Sequence, residues 1–132
     1  MSTRDYGTFF SAAMGSTCRP YSYQSRLAEL PCESRLISIP TGLGKTATVF
    51  LAWLWNRQHR EPLTEASPRW PRRLVYCLPM RTLVEQTSTQ VDRWIGNLVR
   101  SGFIAGNSPK VHILMGESPP PSVSAVFGPR GR

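Results

Sequence analysis

Apolar runs and amphipathic stretches alternate along this chain, and their spacing sets out an order of strands and helices. Leu36, Ile37 and Ile39 form a short apolar run before a glycine turn, read as a first strand over 36–39. Lys45 to about Arg57 is apolar nearly all round, so a helix buried against a sheet is expected there. Gln58 to Pro71 is polar, carries Pro62, Pro68 and Pro71, and reads as a surface loop. Arg72 to Leu78 is a second strand whose continuous apolar character implies a buried, parallel position. From Thr82 to about Arg100, Val84, Val91, Trp94, Ile95 and Leu98 share one helical face, with Glu85, Asp92, Arg93 and Arg100 elsewhere. Lys110 to Met115 is a third strand. Upstream, Phe9–Met14 reads as a short turn or helix and Arg26–Leu30 as helical. Strands alternating with helices imply right-handed βαβ crossovers, hence an α/β fold with a parallel sheet and flanking helices.

Composition narrows this picture. At 132 residues and 40% hydrophobic, the chain has the length and apolar content of one modest globular domain. Its net charge is +8, and of the 16 basic residues only Lys45 and Lys110 are lysines. Such a balance favours a polyanionic partner, with a solvated arginine-rich surface as the plainer alternative. Cys18, Cys32 and Cys77 lack Cys-x-x-Cys spacing, which speaks against zinc or a disulfide framework and for thiols in a reducing cytoplasm. No signal peptide is expected. The longest apolar run, Ala47–Trp55, is too short to cross a membrane. Ser118–Arg132 holds four prolines, two glycines and no acid, and is expected as a disordered or non-native tail.

Chemistry concentrates at Pro40-Thr41-Gly42-Leu43-Gly44-Lys45-Thr46, between the first strand and its helix. Gly42 and Gly44 allow the backbone to curl until successive N–H groups face one anion. The helix adds its positive N-terminal end. Lys45 places an ammonium at β/γ-phosphates, and the Thr46 hydroxyl holds Mg²⁺. This is a phosphate-binding P-loop, although Gly-x-x-x-x-Gly-Lys-[Ser/Thr] fails at its first position, where Ile39 stands. The plainer reading is a glycine turn with a chance Gly-Lys-Thr.

Three further stretches stand at telling distances. In Tyr23-Gln24 the amide suits the edge of an adenine. Leu78–Thr87 lies where the second strand passes into its helix, so Arg81, Thr82 and the helix N-terminus suit a nucleic-acid phosphate. An ordinary turn with Thr82 as N-cap fits equally well. Val111–Glu117 ends a strand on a glycine turn, with His112 read as a strand residue.

Together these stretches resemble the first motor domain of DEAD/DEAH-box helicases of superfamily 2. Gln24 matches the adenine-reading glutamine, Pro40–Thr46 motif I, and Pro79, Arg81, Leu83 and Gln86 motif Ia; Gly116 matches a later glycine turn. The wording of Pro20-Tyr21-x-Tyr23-Gln24-x-Arg26-Leu27-Ala28, Ile39–Ala47 and Leu74–Arg81 looks most like the CRISPR-associated helicase–nuclease of type I systems. The resemblance implies a lead-in over 1–35, a partial RecA-like ATP-binding domain over 36–117, and the tail over 118–132. It further implies ATP with Mg²⁺ on Gln24, Thr41, Gly42, Leu43, Gly44, Lys45 and Thr46. Nucleic acid would meet Pro79, Arg81, Thr82, Gln86 and Gly116. Single-stranded DNA and an RNA-guided CRISPR surveillance complex are the implied partners.

The chain also departs from that pattern. A motor of this kind needs Asp-Glu-x-[Asp/His], whose Asp holds Mg²⁺ and whose Glu activates water. No Asp-Glu pair occurs in these residues, and Glu117 is the last acid. The nuclease's His-Asp pair is absent too, since Arg60 follows His59. The expectation is a truncated N-terminal piece that binds ATP without turning it over and is marginally stable alone. The rivals are a non-catalytic nucleic-acid or CRISPR-complex binding module and a small P-loop kinase or NTPase.

Overall fold

The computed structural model describes residues 5–58, 70–104, 108–115 and the backbone of 123–129. Helix α1, Tyr6–Met14, buries Tyr6, Phe9, Phe10 and Ala13, the i, i+3, i+4, i+7 stripe of an amphipathic helix. It starts where Asp5 accepts a hydrogen bond from the Thr8 N–H at 2.7 Å, and stops at Gly15, in the left-handed region at φ 68°. Helix α2, Ser22–Glu29, precedes a segment over 30–44 without regular structure, and α3 follows over Lys45–Gln58. Strand β1 (Leu74–Leu78), helix α4 (Arg81–Arg100), strand β2 (Pro109–Leu114) and strand β3 (Val123–Pro129) complete the order.

The core lies between the helices. Phe9, Phe50, Leu51, Leu54, Val84, Val91 and Leu98 are fully buried, and each contributes about 1.5–3 kcal/mol relative to an exposed side chain. Phe50 of α3 stacks on Trp94 of α4 with ring centroids 6.1 Å apart. Phe9 of α1 meets Trp55 at 5.3 Å and Phe103 at 5.7 Å. Asn97 of α4 donates to the Ala13 carbonyl at 2.8 Å, and the buried Asn56 of α3 donates to Ala28 at 2.8 Å. These amide bonds fasten α1 to α4 and α2 to α3.

Several expectations require correction. Residues 36–39 are not a strand, and Leu36 is 94% exposed. An apolar run becomes a strand only where a neighbour supplies the ladder, and the described strands pair with one another instead. The described sheet is antiparallel, of order β1-β3-β2, not parallel. Its register sets Tyr76 opposite Ala125 and Ile113 opposite Ala125 from the other side. β2 and β3 follow one another too closely for a helical crossover, so they pair antiparallel. Because β1 and β2 both oppose β3, they run parallel to each other. The β1-α4-β2 passage thus keeps its expected direction, with β3 lying in between.

That strand falls inside the stretch expected as a disordered tail. Its run Val123-Ser124-Ala125-Val126-Phe127 is rich in strand-forming residue types and has a ladder on both sides. β1 is half covered rather than buried. Leu74, Tyr76 and Leu78 are partly enclosed while Val75 and Cys77 are exposed, as suits a sheet with helices on one face. α4 covers the sheet, and α3 packs against α2 and α1 rather than mainly on strands. The polar loop expected over 58–71 lies outside the described residues at 59–69.

Candidate functional site

The glycine turn at 41–44 leads directly into α3. Gly42 has φ 91° and Gly44 φ 76°, conformations that disfavour any residue with a Cβ. The two glycines are needed for different reasons. A Cβ on Gly42 would meet nothing within 4 Å, whereas on Gly44 it would stand 2.8 Å from Gln24 Nε2. Thr41, Gly42, Gly44 and Lys45 are exposed, and Leu43 and Thr46 are half-buried. The first intrahelical bond of α3 runs from the Thr48 N–H to the Gly44 carbonyl at 2.9 Å. The N–H groups of Lys45, Thr46 and Ala47 precede it, so helix geometry leaves them without an intrahelical acceptor. Donors of this kind at the positive end of a 14-residue helix suit an anion.

Beneath the turn lies a polar cluster. Gln24 is only 1% exposed. Its Oε1 accepts from the Tyr21 N–H at 2.8 Å, and its Nε2 donates to the Gly44 carbonyl at 3.2 Å. Tyr23 donates its hydroxyl to the Leu43 carbonyl. Thr48 Oγ1 lies 2.7 Å from the Gly44 carbonyl and 3.1 Å from the Tyr23 hydroxyl. Tyr6 is buried close by; burial pushes its phenol above the ordinary value, and Tyr23 adds to that. Gln24 therefore sits at the loop, but both ends of its amide are occupied by backbone.

The loop's end is tied to the sheet. Thr46 Oγ1 and the Tyr76 hydroxyl of β1 are 3.3 Å apart. A hydroxyl at the start of a helix after such a turn can offer one ligand to Mg²⁺, the remainder coming from phosphate oxygens, carboxylates and water. Among the described residues, no group of three or more His, Cys, Asp or Glu side chains is placed to hold a metal ion. The loop fits a phosphate chain, and Thr46 fits a Mg²⁺ carried in with it. Bound there, that ion would neutralise phosphate charge.

The second candidate region is more open. Pro79 and Met80 are exposed, and α4 begins at Arg81 with Met80 as its N-cap, making no side-chain capping bond. Thr82, the alternative cap, instead lies inside the first turn. Arg81 pairs with Glu85 at 3.4 Å, both exposed, a contact worth at most about 1 kcal/mol. Gln86 lies with Glu85, Thr89, Gln90 and Arg93 around an open depression on α4. His112 is exposed on β2, and Gly116 lies outside the described residues. The Thr46–Tyr76 contact links the glycine turn's end to the strand that leads to Arg81.

Tyr76 carries no sequence motif, and Tyr23 entered the reading only as the neighbour of Gln24. Thr48 left a trace, standing four residues after Gly44, where a helical Thr reaches back to a carbonyl. No described helix is long and apolar enough to cross a membrane.

Comparison with protein-family models finds a match to DEAD/DEAH box helicase over residues 21–120. Searches of curated proteins and of solved structures return no match. The matched stretch contains Gln24, the glycine turn and the β1-α4 junction, and covers well over half of the sequence. The chain belongs to the DEAD/DEAH box helicase family.

Proposed function

We propose that this chain is the ATP-binding part of a DNA helicase of the CRISPR-associated kind, acting on single-stranded DNA beside an RNA-guided complex in the cytoplasm. Domains of this family use ATP with Mg²⁺ in general. The observation that carries the reading is the turn itself: two positive-φ glycines, then Lys45 and Thr46 on the first turn of a helix. The backbone N–H groups from Gly42 to Thr46 hold the phosphates, the Lys45 ammonium reaches the outer ones, and Thr46 meets Mg²⁺. Exposed Arg72, Arg73 and Arg81 supply positive charge for the DNA backbone near β1. A RecA-like α/β fold belongs to this proposal as well; that β1 and β2 run in the same direction on either side of α4 supports it. Turnover by these 132 residues alone is expected to be negligible, because they contain no Asp-Glu pair to activate water.

The test is equilibrium binding of ATP with Mg²⁺, together with steady-state hydrolysis, in the chain and in Lys45→Ala. Lys45→Ala is expected to weaken ATP by roughly tenfold or more, as for loss of a charged hydrogen bond. Equal affinity in both proteins would overturn the site. Sustained hydrolysis abolished by Lys45→Ala would overturn the non-hydrolysing part. Salt-dependent binding of single-stranded DNA without any ATP binding would favour a plain nucleic-acid module instead.

A further inference from the structure

We infer that Tyr76 is a positioning residue for Thr46: its phenol oxygen accepts the Thr46 hydroxyl proton, so that a Thr46 lone pair faces the Mg²⁺ carried by a phosphate chain. This rests on the phosphate-binding reading of the glycine turn. A hydroxyl has one proton and two lone pairs. To serve a cation it must turn a lone pair to the metal, and its proton then needs an acceptor on another side. A threonine in a helix can give that proton to the carbonyl four residues back, as Thr48 does to Gly44 at 2.7 Å. Thr46 instead places Oγ1 3.3 Å from the Tyr76 hydroxyl, the partner it has among the described residues. A phenol both donates and accepts, so it can take the proton once the threonine oxygen is committed to a cation. The phenol is also held in place. On β1, Leu74, Tyr76 and Leu78 are partly enclosed while Val75 and Cys77 are exposed, and the Tyr76 ring packs against the helical core. The strand is laddered to β3 along its whole length, so two side-chain torsions set where the oxygen stands. At 3.3 Å the contact is long for two hydroxyls, which usually stand about 2.7–2.8 Å apart. It therefore adds little to the folded chain by itself and has room to tighten when Thr46 turns to a cation. Outer partners that fix the direction of a metal ligand act in this way.

The test measures ATP affinity twice, with saturating Mg²⁺ and with EDTA, well below each variant's unfolding midpoint. The ratio of the two affinities is the gain from Mg²⁺. Tyr76→Phe keeps the ring and loses the acceptor. It is expected to cut that gain by about two- to tenfold, as for loss of one hydrogen bond, and to leave ATP affinity in EDTA unchanged. Thr46→Val is expected to lose most of the gain, and adding Tyr76→Phe to it should change the gain no further. A tyrosine that served only the fold would weaken ATP equally in both conditions, and that result would overturn the inference. So would an unchanged gain in Tyr76→Phe, an undiminished effect of Tyr76→Phe in the Thr46→Val background, or a parent chain that gains nothing from Mg²⁺. Lys45→Ala separates the two levels. If it weakens ATP while Tyr76→Phe leaves the gain unchanged, the inference alone fails. If it has no effect in either condition, the phosphate site fails with it.

Discussion

Alanine at Gly44 is expected to destabilise this chain more than alanine at Gly42, though the two glycines share one short loop. Both have positive φ, 76° and 91°, and a residue with a Cβ there loses about 1–2 kcal/mol. At Gly42 that is the whole cost, because the added carbon would meet nothing within 4 Å. At Gly44 the carbon would stand 2.8 Å from Gln24 Nε2. Gln24 must then withdraw from the Gly44 carbonyl, leaving a buried amide donor unsatisfied at a further cost of about 1–3 kcal/mol. With a urea slope of about 1–3 kcal/mol per molar, the two midpoints should differ by roughly 1 M. Tryptophan fluorescence reports the transition, since Trp53 and Trp94 are buried. Coincident midpoints for the two variants would refute the crowding argument. The Gln24→Ala background supplies a second check, because there Gly44→Ala should cost little more than Gly42→Ala.

Two other outcomes follow from the N-terminal helix. Asp5 caps α1, and its hydrogen bonds from Thr8 hold the carboxyl below its ordinary 3.8. Asp5→Ala should cost about 1 kcal/mol at neutral pH. A depressed folded-state value stabilises above 3.8 and fades as pH falls below it, so an acid titration of stability should show the two proteins converging there. The Tyr6 hydroxyl is buried with no hydrogen-bond partner among the described residues, so Tyr6→Phe should raise stability by about 1 kcal/mol. Burial pushes that phenol above 10.0, so its contribution is lost as pH rises past 10.0, and thermal melts of Tyr6→Phe should be less alkali-sensitive.

Helices were legible where the stripe was clear. The buried face of α4 holds Val84, Val91, Trp94, Ile95 and Leu98, all expected from spacing, and α3 begins at Lys45 as read. Both strands flanking α4 were placed to within two residues. The sheet was not legible, because pairing is non-local. Leu36–Ile39 resembles a strand in composition yet finds no partner among the described residues, while Val123–Pro129 finds two despite its proline-rich surroundings. At the site, glycine spacing disclosed the loop and its left-handed turns. What supports the loop was hidden, since Tyr23 and Thr48 act through single hydroxyls on carbonyls that only the folded chain brings near. Gln24 was singled out by sequence, but its burial and its partners depend on how α2 meets α3.

The most direct measurement is the change in backbone amide resonances of the ¹⁵N-labelled chain as ATP and Mg²⁺ are added. The loop described here requires the largest shifts at Gly42, Gly44, Lys45 and Thr46, and their loss in Lys45→Ala. Saturable ATP binding that leaves those four amides unmoved would contradict it.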